Sequence, residues 1–449
     1  MALAGSRGLE DMGVEDSEQV RTAAPQTLPP VHEAWLPREH SLHRPRHSKH
    51  QPTALTCALL FFCVPILLLL AGVRPEAIEN RRLASFPSLS DGWDFFTGLS
   101  PWATDYLPLR GDAVSIEDWV SRSLFGEPPP LGQQEQSSGP VQGPVSAPEG
   151  DRDGQDSAGF PSVIEGKDGW LYLGDDVRRA CQPKRSMDEV MGSLRKLRSV
   201  VEGSGRKFVL LIAPNKSTMV PEFLPDRYAG ANCSREVRSE FWQRVVLEGA
   251  AIDVRSVLGP AAARVGSPLY SKNDSHWTFV GAIAMTASIA EHIEPGVTAT
   301  WQVKPSTMSR RAGDLPPLIG RDDSDELRAY ELAPDGQNVL SRLAARPFRE
   351  PLDLNQAVSK GVVGSSVGMV ADSFSLPATS YLAGGFSNLT IVHTDIVGGD
   401  PVRMGAMLAS KDVVVVEAAE RSLVGGVYPM LDDKVIDAIA AELAKRPLP

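Results

Sequence analysis

The stretch KFVLLIAP, Lys207 to Pro214, constrains this chain more than any other. It is continuously apolar after its first residue and rich in strand-favouring side chains, with no polar residue to mark a solvent-facing side. Such a run reads as a strand covered on both faces, the kind found in a parallel sheet between helices. The sequence on either side alternates in the manner that architecture requires. VIEGKDGWLYLGDD places Lys167-Asp168-Gly169 between two apolar runs, a hairpin signal in which Asp-Gly supplies positive φ. Ser186 and Glu189 form a capping box, and Val190, Leu194, Leu197 and Val201 follow at helical spacing until Gly203 and Gly205 end the pattern. Further expectations are helices over 236–247, 278–292, 376–382 and 432–445, and strands at AIDV (251–254), VGMVA (367–371), LTIVH (389–393) and DVVVVE (412–417). The fold class is therefore α/β, a mainly parallel sheet flanked by helices, whose ligands gather at the carboxyl ends of the strands.

A second feature bounds the N-terminal part. TALTCALLFFCVPILLLLAGV, Thr53 to Val73, carries no charge and is long enough to cross a bilayer core as a helix. An uncleaved anchor is favoured over a signal peptide, whose apolar region would be shorter and nearer the start. Arg38, Arg44, Arg46 and Lys49 precede it and Arg74, Arg81 and Arg82 follow, so the charge bias is modest and favours an inside N-terminus. The expected organisation is a disordered cytoplasmic tail (1–51), a transmembrane helix (52–74), a stalk and helical lead-in (75–126), a Pro/Gly/Ser-rich linker or excursion (127–159) and a globular domain (160–449) outside the cytoplasm. In that compartment Cys181 and Cys233, the only cysteines beyond the span, are either a disulfide or two separate thiols; spacing alone does not decide. No Cys/His cluster suggests a metal, and neither a dinucleotide fingerprint nor a P-loop suggests a cofactor. A net charge of -11, with no basic stripe outside the N-terminal region, argues against a nucleic-acid binder.

The chemistry centres on two separated segments. VGMVA runs into Asp372-Ser373-Phe374, so Ser373 sits where a buried strand turns into a helix and its hydroxyl can be presented beside backbone N–H groups. The plainer reading is a helix N-cap. Far upstream, LYSKNDSHWTF places Asp274 two residues before His276 in an extended loop, on the same side of the chain. Serine needs a base, and the base needs an acceptor on its other ring nitrogen. Asp274, His276 and Ser373 supply all three. His393, closing a strand, is a rival base, and His292 reads as a solvated residue near a helix C-terminus. Asn215 at a strand end is an oxyanion donor or an ordinary turn residue. Trp277 and Phe374 are substrate or oxyanion-region candidates, Trp277 equally serving to lock His276, and Trp170 is a second residue able to stack on a sugar. Glu417 and Arg421, four apart, suggest a surface helix ion pair.

In order and spacing, EGKDGWLYLGDD, IAPNKSTMVPEFLP, YSKNDSHWTFVGA, GDL at Gly313, VADSF and VVVVEAAER resemble the AlgX/AlgJ-like alginate O-acetyltransferases, a branch of the SGNH-hydrolase-like proteins. ENRRLASFP and DYLPLR are similar to that family's N-terminal region. The resemblance implies an extracytoplasmic enzyme moving acetyl groups onto an exported polysaccharide, with Asp274, His276 and Ser373 at the triad positions and Glu417 and Arg421 in a structural role below them. Its implied partners are a polysaccharide acceptor and a multispanning membrane acyltransferase that delivers acetyl. Ala371 stands where the family usually has glycine before the Asp-Ser pair, and no carbohydrate-binding β-domain follows Ser422. An acetyl esterase with the same triad and a catalytically silent glycan-binding scaffold are the competing functions.

Overall fold

In the computed structural model, residues 35, 51–73, 86–88, 92, 94–106, 159–341 and 346–449 are described. The expected tail apart from residues 35 and 51, most of the stalk, residues 107–126 of the helical lead-in and the linker up to residue 158 lie outside them. The chain divides into two units, residues 1–73 and 74–449.

The first unit contains the helix Gln51–Leu70. Its segment Pro52–Leu70 has a mean hydropathy of 2.6 and is long and apolar enough to span a membrane as a single anchor. Apolar side chains cover it all round, as a lipid-facing helix requires.

In the second unit β1 (Val163–Glu165) and β2 (Leu171–Leu173) form the expected hairpin, with Asp168 and Gly169 at φ of 54° and 77° in the turn. The main sheet holds β3 (Lys207–Ala213). A separate antiparallel pair follows, β4 (Gln302–Ala312) with β5 (Ser324–Ala333). Then come β6 (Leu352–Asn355), β7 (Val363–Ala371), β8 (Phe386–His393) and β9 (Val413–Ala419), giving the main-sheet order β3-β9-β7-β8-β6. All neighbours are parallel except β6, which runs antiparallel along β8 at the edge. AIDV is not a strand: only Ile252 bridges Leu211, because the helix Arg255–Val265 begins at once.

Side-chain alternation in the central strands divides the core into two layers. Val209, Leu211, Met369, Val413 and Val415 face the helix Phe279–Ile293, whereas Leu210, Ile212, Val370, Val414 and Val416 face the helices Met187–Gly203, Ala231–Leu247 and Asp433–Ala444. Each fully buried aliphatic side chain contributes about 1.5–3 kcal/mol, so truncating Leu211 to alanine would cost about 2–5 kcal/mol. The first helix of the second layer begins as read: Ser186 Oγ accepts from Glu189 N–H at 3.3 Å and Glu189 Oε2 accepts from Ser186 N–H at 2.7 Å. Cys181 and Cys233 are bonded, with Cα atoms 5.6 Å apart, tying the helix Asp175–Cys181 to Ala231–Leu247. Between them Gly230 has φ 77°, and a β-carbon there would come within 2.9 Å of Cys181 Sγ.

Candidate active site

The carboxyl ends of β3, β9 and β7 lie side by side, and the site is built on them. β7 ends at Ala371, and Asp372 turns the chain. Its Oδ1 accepts from Phe374 N–H at 2.9 Å and its Oδ2 from Ala419 N–H at 2.6 Å, which ties the turn to the end of β9. Beneath it Glu417 is fully buried, and one of its oxygens accepts from Asp372 N–H (3.1 Å) and Ser375 O–H (2.8 Å). Burial, and then the charge of Asp372, raises the Glu417 carboxyl well above its ordinary pKa. The surface ion pair expected of Glu417 and Arg421 is therefore incorrect: Glu417 belongs to β9, whose both faces are covered, and Arg421 lies past the strand end. Arg421 stands 3.7 Å from buried Asp176 and 5.0 Å from the Phe374 ring centre. Ser373, half-buried, opens the short helical turn Ser373–Ala378, so the expected single helix is split into this turn and the helix Thr379–Gly385.

The second half of the site is the segment 272–276, just before the helix Phe279–Ile293, which Thr278 caps. Asp274 Oδ1 accepts from the His276 backbone N–H and lies 2.9 Å from His276 Nδ1. On the other side of the ring, Nε2 is 2.8 Å from Ser373 Oγ. A strand end and a loop 97 residues upstream thus form one hydrogen-bonded line. With Nδ1 carrying a proton toward the carboxylate, Nε2 is free to accept from the serine hydroxyl.

A second carboxylate joins them. Asp314 follows the exit of β4, and its Oδ2 is 3.3 Å from the same Nδ1 while also accepting from Ser275 O–H at 2.6 Å. Its Oδ1 accepts from Ser275 N–H at 2.7 Å. Burial alone would lower the pKa of His276, but hydrogen bonds to Asp274 and Asp314 outweigh it and push the imidazole up to about 10. Burial opposes ionisation of Asp314 as well, yet its bond to His276 holds it well below the carboxylate range. Asp314 was not singled out from the sequence; the Gly-Asp-Leu match was the one available signal. Asp274, His276 and Asp314 also offer ligand atoms within 4.8 Å of one another, the one group of metal-binding composition among the described residues. Their mutual hydrogen bonds through Nδ1 and Ser275 already account for that proximity.

The remaining candidates divide. Trp277 lines the cleft of about 280 Å³ that opens over Ser373 and His276, and its Nε1 donates to Phe374 O at 2.9 Å. Phe374 is buried, packs edge-on against His276 at 4.8 Å and against Trp277 at 5.2 Å, and spends its N–H on Asp372. Both residues hold the imidazole in place, and Phe374 offers no backbone donor to an oxyanion. Asn215 is buried at the end of β3, its Oδ1 accepting from Arg421 N–H at 3.2 Å, and is not on the cleft wall. His393 accepts from Asp395 N–H at 3.3 Å, packs near Phe348 and does not meet Ser373. His292 is exposed near the end of its helix, away from Ser373, and partial desolvation and then Lys207 lower its pKa. Trp170 is stacked on Phe223 at 4.5 Å.

Residues 163–378 match the family model described as the SGNH hydrolase-like domain of acetyltransferase AlgX. A probable alginate O-acetylase AlgJ of Pseudomonas syringae pv. tomato is 25% identical over 237 residues, covering 50% of this chain and 55% of that protein. One from Azotobacter vinelandii is 23% identical over 138 residues, covering 30% of this chain and 35% of its own length. The chain thus spans about half or less of the curated relatives it matches. The solved O-acetyltransferase domain of Pseudomonas putida AlgJ is 19% identical, covers 62% of this chain and 98% of that domain, and superposes with a TM-score of 0.41.

Proposed function

Residues 163–378 of this chain form an AlgX/AlgJ-like, SGNH-hydrolase-like domain, and from that premise we propose that the protein is a membrane-anchored O-acetyltransferase acting outside the cytoplasm on a polysaccharide. The single observation that carries the reading is the line from Ser373 Oγ through the His276 ring to Asp274, at 2.8 and 2.9 Å. A glycan-binding scaffold has no need of a serine, a base and an orienting carboxylate in hydrogen-bond series.

The chemistry runs in two balanced halves. Ser373 Oγ attacks the carbonyl carbon of an acetyl donor while His276 Nε2 takes its proton. The leaving group departs with that proton, and an acetyl-serine remains. A sugar hydroxyl then gives its proton to Nε2 and its oxygen to the acetyl carbon, and Ser373 is released with the proton returned. Two carboxylates at Nδ1 make His276 an unusually strong base, and the working form is the neutral imidazole. A separate multispanning membrane acyltransferase is the proposed donor of acetyl, and an exported polysaccharide the acceptor.

The test is incubation of the protein with a chromogenic acetyl ester, with and without candidate oligosaccharides. Transfer predicts acetylated sugar, an acetyl adduct on the Ser373 peptide, and loss of both in Ser373→Ala. Release of acetate alone, unchanged by any acceptor, would make the protein an esterase. No Ser373-dependent turnover at all would reject an enzymatic role.

A further inference from the structure

Beneath Asp274 lies a lysine to which the acetyl-transfer chemistry assigns nothing. Lys216 opens the short helix Lys216–Met219 after β3, and its side chain is fully buried. An ammonium removed from water costs several kcal/mol unless its protons are met. Here two of them are met: Nζ donates to the carbonyl of Lys272 at 2.8 Å and to that of Asp274 at 3.1 Å. The rings of Trp170 and Tyr172 stand 5.0 and 5.2 Å from the same atom, close enough for cation–π attraction. The stacking of Trp170 on Phe223 thus serves the lysine.

The two carbonyls flank Asn273 in the segment that delivers the carboxylate and the base. Other tethers hold the rest of that segment. Leu171 N–H reaches Lys272 O at 2.9 Å, Asn273 N–H reaches Asp325 at 3.0 Å, and Ser275 N–H reaches Asp314 at 2.7 Å. The hydrogen bond to the Asp274 carbonyl comes from Lys216. We infer that Lys216 is a positioning residue for the acetyl-transfer site, fixing the Asp274 backbone so that its carboxylate meets His276 Nδ1. The role rests on the function proposed above. Burial draws the pKa of Lys216 down to about 7, against the pull of Asp274, Asp314, Asp325 and Asp176. The lysine is therefore held by its surroundings and is not a solvated cation.

The test uses the full chain in detergent and a chromogenic acetyl ester. Lys216→Met keeps the length and bulk of the side chain and removes the donating nitrogen. It is expected to lower kcat on the order of 10²-fold, the scale of a misplaced catalytic group, with KM unchanged within about twofold. Lys216→Ala should fall at least as far, and added propylammonium should restore part of kcat where propanol at the same concentration does not. A Lys216→Met enzyme with kcat within about twofold of the parent would overturn the inference. So would equal rescue of Lys216→Ala by amine and alcohol, or rescue by neither. If Lys216→Met does not fold, the amine-against-alcohol comparison decides alone. The parent and Ser373→Ala are assayed alongside. Parent activity that survives loss of Ser373 strikes the proposed function, whereas activity that needs Ser373 but ignores Lys216 strikes only the lysine.

Discussion

His276 presents one ring nitrogen to two carboxylates, and that sets how the site answers mutation and pH. Ser373→Ala, His276→Ala and the double variant should lose nearly the same activity, on the order of 10⁴-fold, because the pair acts as a unit. Additive losses in an ester-hydrolysis assay would break the assignment. Asp274→Asn should cost less, on the order of 10²-fold, because Asp314 remains at the same nitrogen; where a triad has one orienting carboxylate its amide costs about 10⁴-fold. A base raised to about 10 is protonated at neutral pH and must shed that proton before it can take the one on Ser373. Plotted against pH, kcat/KM should rise from neutrality toward about 10. Asp314→Asn removes a group that favours the imidazolium, so its acidic limb should move to lower pH; an unmoved limb would show that Asp314 does not act on His276. The stability this pairing adds has the opposite sense. It is complete below the free imidazole pKa of about 6.5 and fades as pH rises through the shifted value, because the raised pKa belongs to the folded state. Asp274, His276 and Ser373 were legible because a two-residue spacing and a strand end are local signals. Asp314 and Lys216 were not, because their roles arise from contacts 38 to 58 residues apart.

At the scale of elements, the buried strands announced themselves and the exposed ones did not. β3 after Lys207, and β9 apart from Glu417, are apolar because helices cover both faces. β4 reads QVKPSTMSRRA, with a proline and few apolar residues, because most of it faces solvent in a two-stranded pair away from the main sheet. Nothing in its composition separates it from a loop. Yet the connection between its two strands brings Asp314 to His276, and the junction leaves no spare room. A β-carbon on Gly313 would lie 1.9 Å from the Asn273 carbonyl oxygen and 2.3 Å from its carbon. Backbone on both sides must then shift, carrying Asp314 and the 273–276 segment apart. Gly313→Ala should destabilise the protein by about 3 kcal/mol and lower kcat further than the same loss of stability elsewhere in the domain. Denaturant titration read beside the ester assay checks this. A Gly313→Ala enzyme with parental stability and rate would mean that the β4–β5 connection is not part of the site. Glu417 and Arg421 teach the converse. Their four-residue spacing suggested a helix, but the strand that begins at Val413 runs on to Ala419, so Glu417 is a strand residue carried into the core.

For the whole molecule, the apolar helix and the bonded cysteines bear on the same question from independent directions. The helix Gln51–Leu70 is long and apolar enough to anchor the chain, and in the proposed orientation the basic residues before it keep the N-terminus inside, which would put residues 74–449 outside the cytoplasm. Flanking charge alone is a weak argument here, because Arg74, Arg81 and Arg82 follow the span. The disulfide is the stronger one, since a cytosolic compartment would keep Cys181 and Cys233 reduced. A bond with a sequence separation of 52 restricts the unfolded chain enough to stabilise the fold by about 4 kcal/mol in the loop-entropy account. The two observations yield one joint expectation for the protein in intact cells. Protease added outside should digest the domain and leave the first fifty or so residues protected, while mass spectrometry of peptides alkylated without reductant should recover Cys181 linked to Cys233. Replacing both cysteines with alanine should lower the denaturation midpoint of the purified protein in non-reducing buffer. A domain resistant to external protease with both thiols alkylated would place it in the cytoplasm, where an exported polysaccharide is out of reach, and would reverse the proposed topology even if the Ser373 chemistry stood.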